Sequence, residues 1–443
     1  MSHLNYFEPY QSLKAHHEDQ LTRAFLVVLK YSPAAMMRFY SYCSGEIQAL
    51  ADKDTQPVQL PKIHELPIQD INLSTQIARY EFKSGKIISV LITDESQKIG
   101  GSHKPLEFSD RGARYDGVIE IGDEITLLIE NKPDARKVWR DQMNPSINHL
   151  PDESLNNILI PIPALLEWPQ IIQHLSDLIS VEAVSSMEKM LIADFLEFVD
   201  RHFVGLNPYQ RFSQCKNNQY LLTRRIKSVL ETGFQANEPD YHRGWAHYVM
   251  AGLSEVKQIG VRLVYQEAAH AEWSIEISMY FGDIMQQARD LYRRQDLDLA
   301  YLQVLRDKGW KTLLNPHISM QSKNWYFFNN PENSDVESYV KYWQNNQGQL
   351  KQYTKAELKS KLQEWKSAGL IQMDESIRKD YDYRLRNVQE TTNFNWCPGF
   401  RILYFIPAKQ VIQLDDAGKF EAFLREKFNE GLRFLGDDKA TAF

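Results

Sequence analysis

Arg114-Tyr-Asp-Gly-Val-Ile-Glu-Ile-Gly-Asp-Glu-Ile-Thr-Leu-Leu-Ile-Glu-Asn-Lys132 reads as two strands joined by a tight turn at Gly122-Asp123. Val118, Ile119 and Ile121 precede the turn, and Ile125, Leu127, Leu128 and Ile129 follow it. Such β-branched and aliphatic runs, bounded by Gly and Asp, mark a hairpin with at least one buried strand. Side chains alternate along a strand, so Glu130 and Lys132 share a face, while Asn131 points away and leaves its carbonyl near them. A three-residue loop from Gly122 to Glu124 sets Asp116 across from Glu130. A two-residue loop sets it across from Ile129, and a bulge is then needed to recover the pairing.

Two carboxylates and an ammonium at a strand end admit two readings. One is a solvated end with surface ion pairs, worth little. The other is a cation site: carboxylate oxygens suit a hard ion such as Mg²⁺, which keeps several waters and takes one or two protein carboxylates. A lysine beside them can hold or deprotonate an attacking water and stabilise charge on a phosphate.

At these residues the chain resembles the PD-(D/E)XK nuclease superfamily, whose members place a metal-binding Asp on one strand and an acidic-x-Lys triplet on the next. Asp116 and Glu130-Asn131-Lys132 match that pattern, with Tyr115 where many members carry Pro. The resemblance covers about the first 165 residues. It implies a restriction-endonuclease-like core, Mg²⁺ or Mn²⁺ held by Asp116, Glu130 and the Asn131 carbonyl, and Lys132 as the catalytic lysine. Many members add a glutamate from the first core helix that helps hold the metal. Leu21, Ala24, Phe25, Val28 and Leu29 form a helical apolar stripe, and Glu18 and Thr22 lie on the line of Phe25 and Leu29, so Glu18 is the candidate and Asp19 the fallback.

Asp134 to Met143, entered through Pro133, reads as a helix with a basic edge of Arg136, Lys137 and Arg140, suited to phosphate contacts. Gln142 resembles a glutamine that several families of this fold carry there. Ordinary surface charge is the alternative for this helix.

The chain has 443 residues, more than one typical core, and two or three domains are expected. Hydrophobic content of 43% and charged content of 25% are those of a globular protein. A net charge of −7 gives no general affinity for nucleic acid, but a nuclease needs only a local basic channel. Cys43, Cys215 and Cys397 lie far apart, which argues against a zinc site or a disulfide framework and suits the cytoplasm. No signal peptide and no membrane-spanning run is read.

Elsewhere, the Ser84-Gly85 pair suggests a hairpin of Ile77–Lys83 with Lys86–Thr93, and Asn157–Ile162 suggests a further strand. Helices are expected near 164–180 and 182–204. The expected architecture is mixed α+β, with the nuclease-like domain at 1–205 and a C-terminal α+β domain at 206–443. In the latter, alternation predicts paired strands around Val261–Tyr265 and Trp273–Phe281. Capping boxes open helices at Ser334-x-x-Glu337 and Thr354-x-x-Glu357, and Phe400–Ile406 is a strand before Pro407. Arg224, Arg225 and Lys227 form a second basic cluster.

The function expected from the resemblance is a Mg²⁺-dependent endonuclease of a prokaryotic restriction or phage-defence system, cutting DNA or, as a variant, RNA. The C-terminal domain is expected to bind DNA, a signal or a partner subunit, and a homo-oligomer is compatible with this layout. The rival readings are a non-catalytic nucleic-acid-binding module and a nuclease subunit of a larger DNA-processing assembly.

Overall fold

The computed structural model describes residues 6–7, 18–51, 60–61, 71–77, 81, 86–94, 106–133, 140–149, 159–160, 162–234, 241–242, 246–265, 273–320, 323–328 and 335–436. The chain is mixed α+β and divides into two compact units, Met1–Gln210 and Arg211–Phe443.

The first unit contains helices α1 (Glu18–Tyr31) and α2 (Pro33–Ala51) and strands β1 (Ile71–Ile77), β2 (Lys86–Thr93), β3 (Tyr115–Ile121), β4 (Ile125–Lys132) and β5 (Ala164–Glu167). Helices α3 (Trp168–Ile179) and α4 (Ser186–His202) follow. The strands form one mixed sheet in the order β1-β3-β4-β2-β5. The β1/β3 and β3/β4 pairs are antiparallel, whereas β2 lies parallel to both β4 and β5.

The central hairpin has the three-residue-loop register, pairing Ile121 with Ile125 and Gly117 with Ile129. Of the expected partner strand at 77–83, residues 78–80 and 82–83 lie outside the described residues, and Ile77 pairs with Tyr115 of β3, not with β2. Strand β1 lies at the edge beside β3, and β2 is interior, between β4 and β5. Burial explains the difference: Ile87 to Thr93 are all buried, so both faces of β2 need cover, while β1 is half-buried and polar. A strand buried on both faces belongs inside a parallel sheet, and a half-buried, more polar one at its edge. Of the expected strand Asn157–Ile162, residues 157, 158 and 161 lie outside the described residues and Leu159 bridges Ile87 in parallel; the described last strand is Ala164–Glu167.

Helix α1 presses Leu21, Ala24, Phe25, Val28 and Leu29 into the core. The Phe25 ring meets Phe39 of α2 and Trp168 of α3 edge-on, both at 5.2 Å. Gly117 lets α1 approach β3: a Cβ there would lie 2.9 Å from Leu26 Cδ1 and 3.3 Å from Ile129 Cβ. Ser185 and Glu188 cap α4 reciprocally, and Glu188 also accepts from Ser32 Oγ at the α1–α2 junction (2.9 Å).

In the second unit an eight-stranded antiparallel sheet is built from β6 (Tyr241–His242), β7 (Ala246–Met250), β8 (Gln258–Tyr265), β9 (Trp273–Phe281), β10 (Lys311–Met320), β11 (Lys323–Phe327), β12 (Gln352–Thr354) and β13 (Asn393–Pro407). The order is β11-β10-β13-β9-β8-β7-β6, with β12 on β13. The expected pair of strands is β8/β9, which aligns Tyr265 with Trp273. Strand β13 starts earlier than expected, because Asn393–Asn395 pairs with β12 and Asn395–Leu403 with β10, while Phe400–Pro407 pairs with β9.

Its helices are α5 (Gln219–Gly233), α6 (Met285–Arg293), α7 (Tyr301–Asp307), α8 (Val336–Asn345), α9 (Lys355–Ser367), α10 (Glu375–Arg386), α11 (Ala408–Asp416) and α12 (Phe420–Leu432). The Thr354/Glu357 box caps α9, but α8 is capped by Asp335, one residue after the expected Ser334, which lies outside the described residues. Trp343, Trp365 and Trp396 pack together in the core, the last two stacked at 4.0 Å. The three cysteines are free and buried, and no helix among the described residues is long and apolar enough to cross a membrane.

Candidate active site

The first unit gathers its charged groups where β2, β4 and β5 end and β3 begins. Asp116 and Glu130 lie one step beyond the last paired residues of the β3/β4 ladder, Gly117 and Ile129. Lys132 closes β4, and its side chain is only 9% exposed. Its Nζ is 3.1 Å from Glu130 Oε1, 3.1 Å from Glu18 Oε1 and 3.9 Å from Asp116 Oδ2. Three carboxylates from α1, β3 and β4 thus surround one ammonium.

Asn131 organises the same region from the opposite face of β4. Its N–H donates to Asp116 Oδ2 (2.9 Å). Its side-chain Nδ2 donates to the Glu18 carbonyl (3.2 Å) and to Thr22 Oγ1 (2.9 Å), and its Oδ1 accepts from Trp168 Nε1 (2.8 Å).

Burial disfavours the charged form of the two strand carboxylates, Glu130 and Asp116. Glu130 is pushed up to about 7, by burial first and then by Asp116, against the opposing pull of Lys132 and Arg111. Asp116 is also raised by burial, with Glu18 and Asp19 adding to it and the Asn131 N–H and Lys132 opposing. Burial works against the charge of Lys132, yet Glu130 and Asp116 outweigh it and raise its pKa. This lysine is therefore an ammonium.

The donor set fits a hard divalent cation. Two buried acids that discourage each other's ionisation are relieved by positive charge between them, and Mg²⁺ completes its shell with water or substrate oxygens. Among the described residues no group of three or more His, Cys, Asp or Glu side chains is arranged to hold a metal. A two-carboxylate Mg²⁺ site does not need one.

The structure thus brings Asp116, Glu130, Lys132, Asn131 and Glu18 together. The fallback residue Asp19 accepts instead from the Gln76 side-chain amide. Arg136 and Lys137 lie outside the described residues. Arg140 opens a short 3-10 turn, Arg140–Met143, where an α-helix was expected. Gln142 lines a small cleft with Tyr115, Glu130 and Met143.

Several residues here had no sequence signal. Gln76 adopts a left-handed backbone (φ 59°) beside Asp116, between the pairs Thr75–Gly117 and Ile77–Tyr115. Arg111 Nη2 donates to the carbonyls of Gln142 (2.6 Å) and Asn144 (3.3 Å). The Tyr115 hydroxyl accepts from the Ser146 N–H (3.0 Å) and lies 3.1 Å from His149 Nδ1. Together these tie the loop before β3 to the segment carrying Gln142. Only Thr22 was foreshadowed, by sharing a helix face with Glu18.

Comparison with models of protein families, with curated proteins and with solved structures returns no significant match to the chain.

Proposed function

We propose that the first unit is a divalent-metal-dependent phosphodiesterase of the PD-(D/E)XK type that cleaves nucleic acid, with DNA as the first candidate substrate. The observation that carries this reading is the convergence of Asp116, Glu130 and Glu18 on Lys132 at one end of a mixed sheet. The sheet order, with an antiparallel hairpin bearing the acids and parallel strands beside it, supports a restriction-endonuclease-like core.

In this reading Asp116, Glu130 and the Asn131 carbonyl hold Mg²⁺ or Mn²⁺. The bound cation supplies Lewis-acid stabilisation of charge on the phosphate. Lys132 Nζ donates hydrogen bonds that orient the attacking water and a phosphate oxygen. Glu18, whose side chain is 37% exposed and meets Lys132 Nζ, completes the cation site from α1. The second unit restricts when or where cutting occurs, through a signal, DNA or a partner.

The test is cleavage of supercoiled plasmid, single-stranded DNA and RNA with Mg²⁺, Mn²⁺ or EDTA, comparing wild type with Asp116→Ala and Lys132→Ala. Metal-dependent cutting that falls by about a hundredfold or more in both variants is expected. Undiminished cutting in both variants would remove this hairpin from the chemistry.

A further inference from the structure

We propose that the side chain of Asn131 is a positioning residue that acts through Glu18, fixing the first turn of α1 so that the Glu18 carboxylate meets Lys132. This rests on the phosphodiesterase reading above and extends it to a residue whose side chain faces away from the reacting groups.

Asn131 is completely buried, in a strand whose other inward positions, such as Leu127 and Ile129, are aliphatic. An amide in such a place costs free energy unless its hydrogen bonds are met, and packing alone would be served by another aliphatic residue. Here both sides of the amide are used: Nδ2 donates to the Glu18 carbonyl and Thr22 Oγ1, and Oδ1 accepts from Trp168. Thr22 Oγ1 itself donates to the Glu18 carbonyl (3.0 Å), so two side chains grip one carbonyl. The carboxylate on that same residue meets Lys132 at 3.1 Å. Through its main-chain N–H the same Asn131 also holds Asp116, so one residue sets the spacing between the α1 acid and the β3 acid. Partners one layer behind the ligands commonly control affinity about 10–100-fold in metal sites.

Asn131→Asp keeps the shape and the acceptor for Trp168 but removes the donor to Glu18. Thr22→Val keeps the shape and removes the other grip, without placing a charge in the core. Each is made in the full chain with Glu18 intact and with Glu18→Gln, and Mn²⁺ affinity is measured by calorimetry without nucleic acid, alongside the cleavage rate. We expect Asn131→Asp to weaken Mn²⁺ binding about tenfold when Glu18 is present and to have little further effect in Glu18→Gln, with Thr22→Val showing the same dependence at smaller size. Equal losses in both backgrounds, or wild-type affinity in Asn131→Asp, would overturn the proposal while leaving the phosphodiesterase reading intact if wild type binds and cuts. Wild type that neither binds Mn²⁺ nor cuts would overturn both. If Asn131→Asp does not fold, the Thr22→Val pair decides by the same criterion.

Discussion

Glu130 is the residue whose chemistry departs furthest from its ordinary behaviour within the site. Its folded pKa of about 7 lies above the ordinary 4.5, so the folded state binds the proton more tightly than the unfolded state. Stability of the metal-free protein is then greatest below about pH 4.5 for this group. It falls as pH rises towards about 7 and levels beyond, by at most about 3 kcal/mol. Urea denaturation of EDTA-treated protein across that range should show the fall, and Glu130→Gln should flatten it; an equal slope in both proteins would mean the carboxylate is better solvated than its setting indicates. At this scale Asp116, Glu130 and Lys132 were legible in the sequence because strand alternation and one turn fix their relation. The side-chain role of Asn131 and the conformation of Gln76 were not, because their partners Trp168, Thr22 and Asp19 come from other elements.

Among the elements, the meeting of α1 with β3 is the joint on which the arrangement of the acids depends. Gly117 permits it, since a Cβ would lie within 3.5 Å of Leu26, Ile129 and Thr22 atoms. Gly117→Val should push α1 outward, lowering stability by about 1–3 kcal/mol in chemical denaturation. It should also weaken cleavage, because Glu18 rides on that helix. Unchanged stability would show that Leu26 rotates aside at no cost. The β3/β4 hairpin was readable from local alternation and turn residues. The place of β2 between β4 and β5 was not readable from the Ser84-Gly85 signal, because a turn signal is local, whereas burial on both faces decides where β2 lies. The short 3-10 turn at Arg140–Met143 lacked a sequence signal of its own, as its hold comes from Arg111 and Ser89.

For the molecule as a whole, the division into two units and the antiparallel pairing of β8 with β9 follow from periodicity, but the role of the second unit does not. Its basic cluster illustrates why. Arg225 forks onto the buried Asp415 (2.6 and 3.2 Å), Lys227 pairs with Glu231 (3.5 Å), and the Arg224 guanidinium lies over the Tyr220 ring. Charges that looked outward in the sequence are partly spent inside the fold, and only the tertiary structure reveals their partners. The buried thiols give a direct way to observe the two units. Cys43 belongs to the first, Cys215 and Cys397 to the second, and burial pushes all three pKa values up, the latter two to about 12. In the native chain they should resist alkylation, since the thiolate is the reactive form. Modification at each cysteine, followed by mass spectrometry in rising urea, would then time the opening of its own unit, so the three thiols serve as built-in clocks for which half of the molecule gives way first.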